Sequence, residues 1–243
     1  MIILRKFLVL LKKSLLKFGI GIHFSSDGED AIINKWLSGI KKGFYIDIGA
    51  HKPLFSSNTF GLYLNGWKGI CIDPNPGLKL KYSLLRSSDI FLNSAIVFRN
   101  DKKNINFYHY KNNTDLNTFS QSRVRIQKKL YNRIPTKILK VKIINIDELT
   151  SLINKKVVHF LNIDVEGLEE SIVKSLLNKK IFPWCIAIEE LGKTYEAMNK
   201  SKIKKFLNIK GYFLASKTFL TSIYIRKDVI KKLPSKYVKE IRR

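Results

Sequence analysis

"GFYIDIGAHKP" occupies residues 43–53, and the fold turns on how it is read. Phe44–Ile48 is a short apolar run of the kind that forms a buried strand. It ends at Gly49 and stops at Pro53, two residues that break regular structure. A strand made only for packing has no need of a carboxylate, yet Asp47 stands at its carboxyl end, with Gly49 and His51 just beyond. Three further segments repeat the pattern. "KGICIDPNP" (68–76) ends in Asp73, "VVHFLNIDVEG" (157–167) in Asp164, and "FPWCIAIEE" (182–190) in Glu189.

Helical stretches fall between these strands, at about 57–67, 77–86, 168–178 and 193–208. "SSDIFLNSAIV" supplies a third strand, and "GYFLASKTFLTSIYIRK" reads as an antiparallel hairpin at the sheet edge. Apolar strands alternating with helices make a mostly parallel α/β sheet covered on both faces. Ligands of such sheets bind at the carboxyl ends of the strands. Four acids on four strands therefore converge on one edge.

The 243 residues suit one well-cored domain, 45% of them hydrophobic. Residues 1–24 form a basic amphipathic helix ahead of it. Leu4, Phe7, Leu8, Leu11, Leu15, Phe18 and Ile22 fall on one face, and Arg5, Lys6, Lys12, Lys13 and Lys17 fall opposite. The apolar run is too short to span a bilayer and makes a poor secretory segment. Such a helix can lie in a membrane interface or equally pack its apolar face on the body of the protein; the expected location is the cytoplasm, with peripheral contact at the inner membrane face under the first of these. Ser26 or Asp27 is expected to cap the next helix, marked by Ile32, Ile33, Trp36, Leu37 and Ile40. Residues 99–156 break the strand–helix rhythm and read as an insertion. Cys71 and Cys185 sit in apolar runs without metal-like spacing, as buried thiols do. No metal is assigned.

The strand–glycine turn is neither a dinucleotide fingerprint nor a P-loop. Ala50, His51, Lys52 and Pro53 follow Gly49. Gly49 allows close backbone approach to a ligand. Asp73 stands where an acid accepts both hydroxyls of a ribose in nucleotide-binding βαβ units. Asp89 can accept from the amine of adenine, and Asp47 from an ammonium group or from the turn itself. An adenosine bearing an amino-acid tail, without polyphosphate, suits these acids better than NAD.

The segments "SSDGEDAIINKWL", "GFYIDIGAHKPLFSSNTFGLYLNGWKGICIDPNP", "SSDIFLNSAI", "FLNIDVEGLEESIV" and "PWCIAIEE" together resemble the FkbM-type S-adenosylmethionine-dependent methyltransferases. They cover about 25–100 and 157–190. The resemblance implies a class I methyltransferase (Rossmann-like) fold, a seven-stranded sheet with an antiparallel strand at its edge. It implies S-adenosyl-L-methionine as cofactor and methyl transfer to a hydroxyl, often on a sugar or a secondary metabolite. Carried over by position, Asp47, Gly49 and Ala50 form the first cofactor loop. Asp73 with Pro74 binds ribose, and Ser88 and Asp89 flank adenine. Asp164 lies under the sulfonium. Glu29 and Asp30 close the pocket from the preceding helix. Ser57, Asn58 and Thr59 help hold the methionine part.

For an alcohol acceptor the candidate bases are Asp164, Glu189, His51 and Glu166, with Asp164 or Glu189 preferred for their strand-end positions. His159 reads as a core histidine, and His109 as a surface or acceptor-side residue. The rival reading follows from the net charge of +26: a basic module for nucleic acid or membrane with a vestigial nucleotide site, or an RNA methyltransferase. No RNA-binding motif accompanies the charge, so a small-molecule or glycan acceptor is the stronger expectation.

Overall fold

Strand β1 (Phe44–Ile48) is an interior strand of the main sheet. It pairs in parallel with β2 (Lys68–Ile72) on one side and with β7 (Phe160–Ile163) on the other. The computed structural model describes residues 2–18, 20–97, 104–111, 116–165, 167–190 and 200–233. Outward from β2 comes β3 (Ile90–Leu92). Outward from β7 come β8 (Cys185–Glu189), β10 (Thr221–Arg226) and β9 (Tyr212–Lys217). The sheet order is β3-β2-β1-β7-β8-β10-β9. Only β10 runs against the rest. The hairpin is at the sheet edge, with β9 outermost and β10 beside it. This is the mostly parallel α/β sheet of a Rossmann-like methyltransferase fold.

Strand alternation gives the sheet two apolar faces. Ile46, Ile48, Ile70, Ile72, Leu161 and Ile163 pack on α6 (Ile146–Ile153), α7 (Glu169–Asn178) and Leu207 of α8 (Lys202–Ile209). Tyr45, Cys71, Phe160 and Cys185 face the other way, against α2 (Glu29–Leu37), α3 (Phe60–Leu64) and α4 (Leu78–Leu85). Each wholly buried Ile or Leu contributes roughly 1.5–3 kcal/mol, so neither face can be stripped without unfolding the domain. Both cysteines are buried free thiols.

Two local details differ from the sequence reading. Neither Ser26 nor Asp27 caps α2; Gly28, in the left-handed region, precedes Glu29 instead. The stretch read as insertion also contains α6, which belongs to the main core through Ile146, Leu149 and Ile153. Its capping box, Asn145 with Glu148, starts that helix without outside help. Its strands β5 (Asn104–His109) and β6 (Lys137–Asn145) join β4 (Ala95–Val97), which precedes the stretch, in a second, three-stranded sheet with β6 in the middle. Helix α5 (Gln121–Tyr131) joins β5 to β6.

The N-terminal helix α1 (Ile2–Lys17) rests Leu8 and Val9 on the α2–α3 side of the body. Phe7, Leu10 and Leu11 remain exposed. Among the described residues no helix is long and apolar enough to cross a membrane.

Candidate functional site

A cleft opens at the carboxyl ends of β1, β2 and β7. Gly49, His51, Asp73, Pro74 and Asp164 line it, together with Asn75, Asn117 and Leu168. Ala95, Ile96 and Phe107 of the second sheet, with Phe119 of the loop before α5, make its apolar wall. Phe107 and Phe119 meet at a ring-centroid distance of 4.9 Å.

The turn after β1 is tight. Gly49 has φ +83, and a Cβ there would fall 1.7 Å from the Asp164 carbonyl oxygen. Glycine is required because β7 crosses so closely, rather than by a ligand. The Gly49 and Ala50 amides both donate to the Ile72 carbonyl, at 2.9 and 3.1 Å. The turn therefore offers no amide cradle for a phosphate. His51 follows with φ 42, and its amide donates to Asp73 Oδ2 at 2.9 Å.

Asp73 Oδ1 accepts from the Asn75 amide at 2.7 Å. Each of its oxygens thus takes one backbone bond, and the Asn75 side chain bonds the carboxylate as well. Burial pushes its carboxyl up, against the pull of the Asn75 and His51 amides. Asn93, at the carboxyl end of β3, donates to the Asp73 and Asn75 carbonyls. Asn117 donates from its side chain to Asn75 and accepts from the Tyr110 amide. His109 Nδ1 stands 3.1 Å from that Asn117 amide nitrogen. The second sheet is thereby tied to the Asp73 side of the cleft. The asparagine contacts join residues 42 apart, and no local sequence signal marks them.

Asp164 keeps solvent contact along the cleft. The walls that strip water from its carboxyl, then the Glu189 and Glu169 carboxylates, push it up to about 7. Its open side screens part of that shift. Glu169 is a residue the sequence reading missed. It is buried and accepts from the Val165 and Gly167 amides, which holds the loop after β7. Its signal was an acid in the first turn of α7, where the helix dipole favours it. Glu189, half-buried, lies outside the cleft lining. Burial and Glu169 push its carboxyl up, while Arg123 and Lys217 pull it back. Beside it Glu190, also unforeseen, accepts from Tyr224 Oη at 2.7 Å and from Ser201 Oγ. Glu166 lies outside the described residues.

The structure takes several expected residues away from the cleft. Asp47 is 1% exposed and faces α3. Its oxygens accept from Thr59 Oγ1 and from Asn162 Nδ2. Asn58 donates to Asn162 Oδ1 at 2.9 Å, and Ser57 Oγ accepts from the Phe60 amide. Asp47, Ser57, Asn58 and Thr59 therefore bind one another and the sheet. Burial pushes the Asp47 carboxyl up, opposed by the Arg86 guanidinium and the Thr59 and Asn162 bonds.

Ser88 and Asp89 precede β3, which puts them at the amino end of the sheet, opposite the cleft. Asp89 accepts from the Gly69 amide at 2.8 Å, from Tyr45 Oη and from Arg86 Nε at 2.7 Å. The Arg86–Asp89 side chains have no exposed surface. Ser88 Oγ is buried without a hydrogen-bond partner among the described residues. Their expected place in the cleft is thus corrected: neither Ser88 nor Asp89 lines it. Arg86 was overlooked because one arginine in a basic chain stands out by nothing local. Its guanidinium also donates to Tyr45 Oη and Thr59 Oγ1, linking Asp89 to Asp47.

Ala50 is buried and gives its carbonyl to Tyr82 Oη. Asp30 accepts from the Phe24 amide and Ser25 Oγ, which pins the chain before α2 over α3. Glu29 accepts from Thr218 Oγ1, in the β9–β10 link, and from the Asp27 amide. Neither lines the cleft. His159 stands at the amino end of β7, where its Nδ1 accepts from the Phe44 amide between Trp67 and Trp184. Among the described residues no three His, Cys, Asp or Glu side chains gather as a metal site.

Residues 47–214, more than half of the chain, match the family model described as "Methyltransferase FkbM domain". No curated protein matches the chain.

Proposed function

The chain belongs to the FkbM methyltransferase family, and we propose that it uses S-adenosyl-L-methionine to methylate a hydroxyl of a sugar in a glycan or of a secondary metabolite. One observation carries the cofactor assignment. Asp73 lines the cleft at the carboxyl end of β2, its carboxylate held in place by the His51 and Asn75 amides, while the neighbouring turn amides are already engaged by Ile72. Those groups suit a nucleoside diol and are unsuited to a pyrophosphate.

The residues present fit that cofactor. Asp73 would accept the ribose hydroxyls. Pro74, Ile96, Phe107 and Phe119 would enclose the adenine ring, with Asn75 at its rim. When bound, S-adenosylmethionine supplies a methyl group on a sulfonium, open to in-line displacement. Asp164, raised to about 7, is the base we assign. At neutral pH a substantial fraction is ionised, and it accepts the proton that leaves the acceptor hydroxyl. Glu169 keeps the Asp164 loop in position through the Val165 and Gly167 amides. The apolar wall excludes water, which favours alignment of acceptor and methyl group.

Calorimetric titration with S-adenosylmethionine and S-adenosylhomocysteine, beside Asp73→Ala, tests this reading. Micromolar binding that disappears in the variant supports it. A folded wild-type protein that binds neither ligand refutes it. Transfer of a labelled methyl group to a glycan fraction, surviving alkali as an ether does, tests the acceptor class.

A further inference from the structure

Helix α5 has no buried residue. Ser120 caps it by accepting from the Arg123 amide, and Asn132 closes it in the left-handed region. It is thus a regular helix that stands at the protein surface. Ile126 and Leu130 are one turn apart on one face, 52% and 64% exposed. Tyr131, Ile134 and Ile138 continue the exposed apolar surface. Arg125, Lys128 and Lys129 lie exposed around it. From Leu116 to Ile146 the chain carries eight Lys and Arg and no Asp or Glu. The catalytic reading uses none of this face.

We propose that α5 and the segment following it to Ile138 dock on the surface of an anionic lipid bilayer. Aliphatic tips set within a ring of cations are what a headgroup layer accepts: the tips enter the acyl boundary and the cations meet lipid phosphates. A single-stranded nucleic acid would meet the same cations, but four of the five exposed apolar residues are aliphatic and give bases nothing to stack on, and Arg133 already lies over the ring of the fifth, Tyr131. A second copy of this chain would set eight like charges against eight, which opposes an isologous contact. The N-terminal helix offers a second apolar contact in Phe7, Leu10 and Leu11. Docking through α5 has a consequence for the cleft. Phe119 lines the cleft and immediately precedes the Ser120 cap, so the cleft mouth would open beside the headgroups, where a lipid-anchored acceptor lies.

The test is sedimentation of the full chain with vesicles of phosphatidylcholine, alone or mixed with phosphatidylglycerol, at low and high salt. The expected result is binding to the mixed vesicles, weakened by salt, and none to the neutral ones. Ile126→Glu with Leu130→Glu should lower the bound fraction about tenfold or more. Both positions are exposed, so thermal unfolding and S-adenosylhomocysteine binding should stay as in the wild type. Phe7→Glu with Leu10→Glu should have the smaller effect. Unchanged vesicle binding by the α5 variant overturns the proposal. So does wild-type protein that ignores anionic vesicles but binds single-stranded RNA, or that forms a dimer dissolved by the α5 variant. Vesicle sedimentation and thermal unfolding do not depend on the methyltransferase reading, so the two can fail separately.

Discussion

Gly49 and Asp164 meet where β1 and β7 leave the sheet, so close that a Cβ on the glycine would lie 1.7 Å from the aspartate's carbonyl oxygen. The contact couples the turn beside Asp73 to the loop that carries the proposed base. It also means that one residue with no side chain sets the shape of the cleft floor.

Gly49→Ala should lower stability by about 2–5 kcal/mol, from the left-handed backbone and the forced separation of the strands. Urea unfolding measures it. A variant as stable as the wild type would show that the strands part there without strain.

Asp73→Asn keeps the shape of the carboxylate but turns one oxygen into a donor. That donor faces the amide of His51 or of Asn75. Affinity for S-adenosylhomocysteine should fall at least tenfold, and stability by about 1–3 kcal/mol. Equal affinity in the two proteins would remove Asp73 from the ribose site.

Asp164 should make the protein less stable as pH rises. Its unfolded carboxyl titrates near 3.8 and its folded one near 7, so across that interval the folded state holds the extra proton. The penalty is absent below the lower value and complete above the upper one. Asp164→Asn should therefore raise the melting temperature at pH 8 and change it little at pH 4. The acid limb of the wild-type rate profile should have its midpoint near 7. A variant that melts like the wild type at pH 8 would contradict the raised carboxyl.

Asp89→Asn separates structure from binding. The buried Arg86 would lose its carboxylate, at about 3–5 kcal/mol. Affinity for S-adenosylhomocysteine in the protein that remains folded should not change, because Asp89 lies at the amino edge. A selective loss of affinity would return Asp89 to the adenine site.

Phe119→Ala should do the reverse. Phe119 is half-buried at the cleft, so affinity should fall severalfold or more while the melting temperature moves little. A large loss of stability with unchanged affinity would make Phe119 a packing residue only.

Much of the sheet was legible in the sequence. The strands that became β1, β2, β7 and β8 are apolar runs closed by Gly, Pro or an acid, and each such signal is contained within a few residues. Three of the four strand-end acids fared unequally. Asp73 and Asp164 line the cleft, whereas Asp47 turns beneath α3. The stretch 99–156 was read less well. Its strands alternate only weakly, and α6 lay concealed in it because the core that claims Ile146 and Leu149 is assembled from distant strands.

The sequence by itself determined the order of strands and helices, the parallel sheet and the edge at which acids collect. Periodicity, breakers and caps act over a few residues, so they are visible along the chain. Only the tertiary structure decided which acid serves the cleft and which serves the core. Asp47 and Asn162 are 115 residues apart in the chain yet paired across adjacent strands. The two faces of a strand alternate, and the partner waiting on each face comes from elsewhere in the sequence. The direction of a carboxylate is settled by those long-range partners.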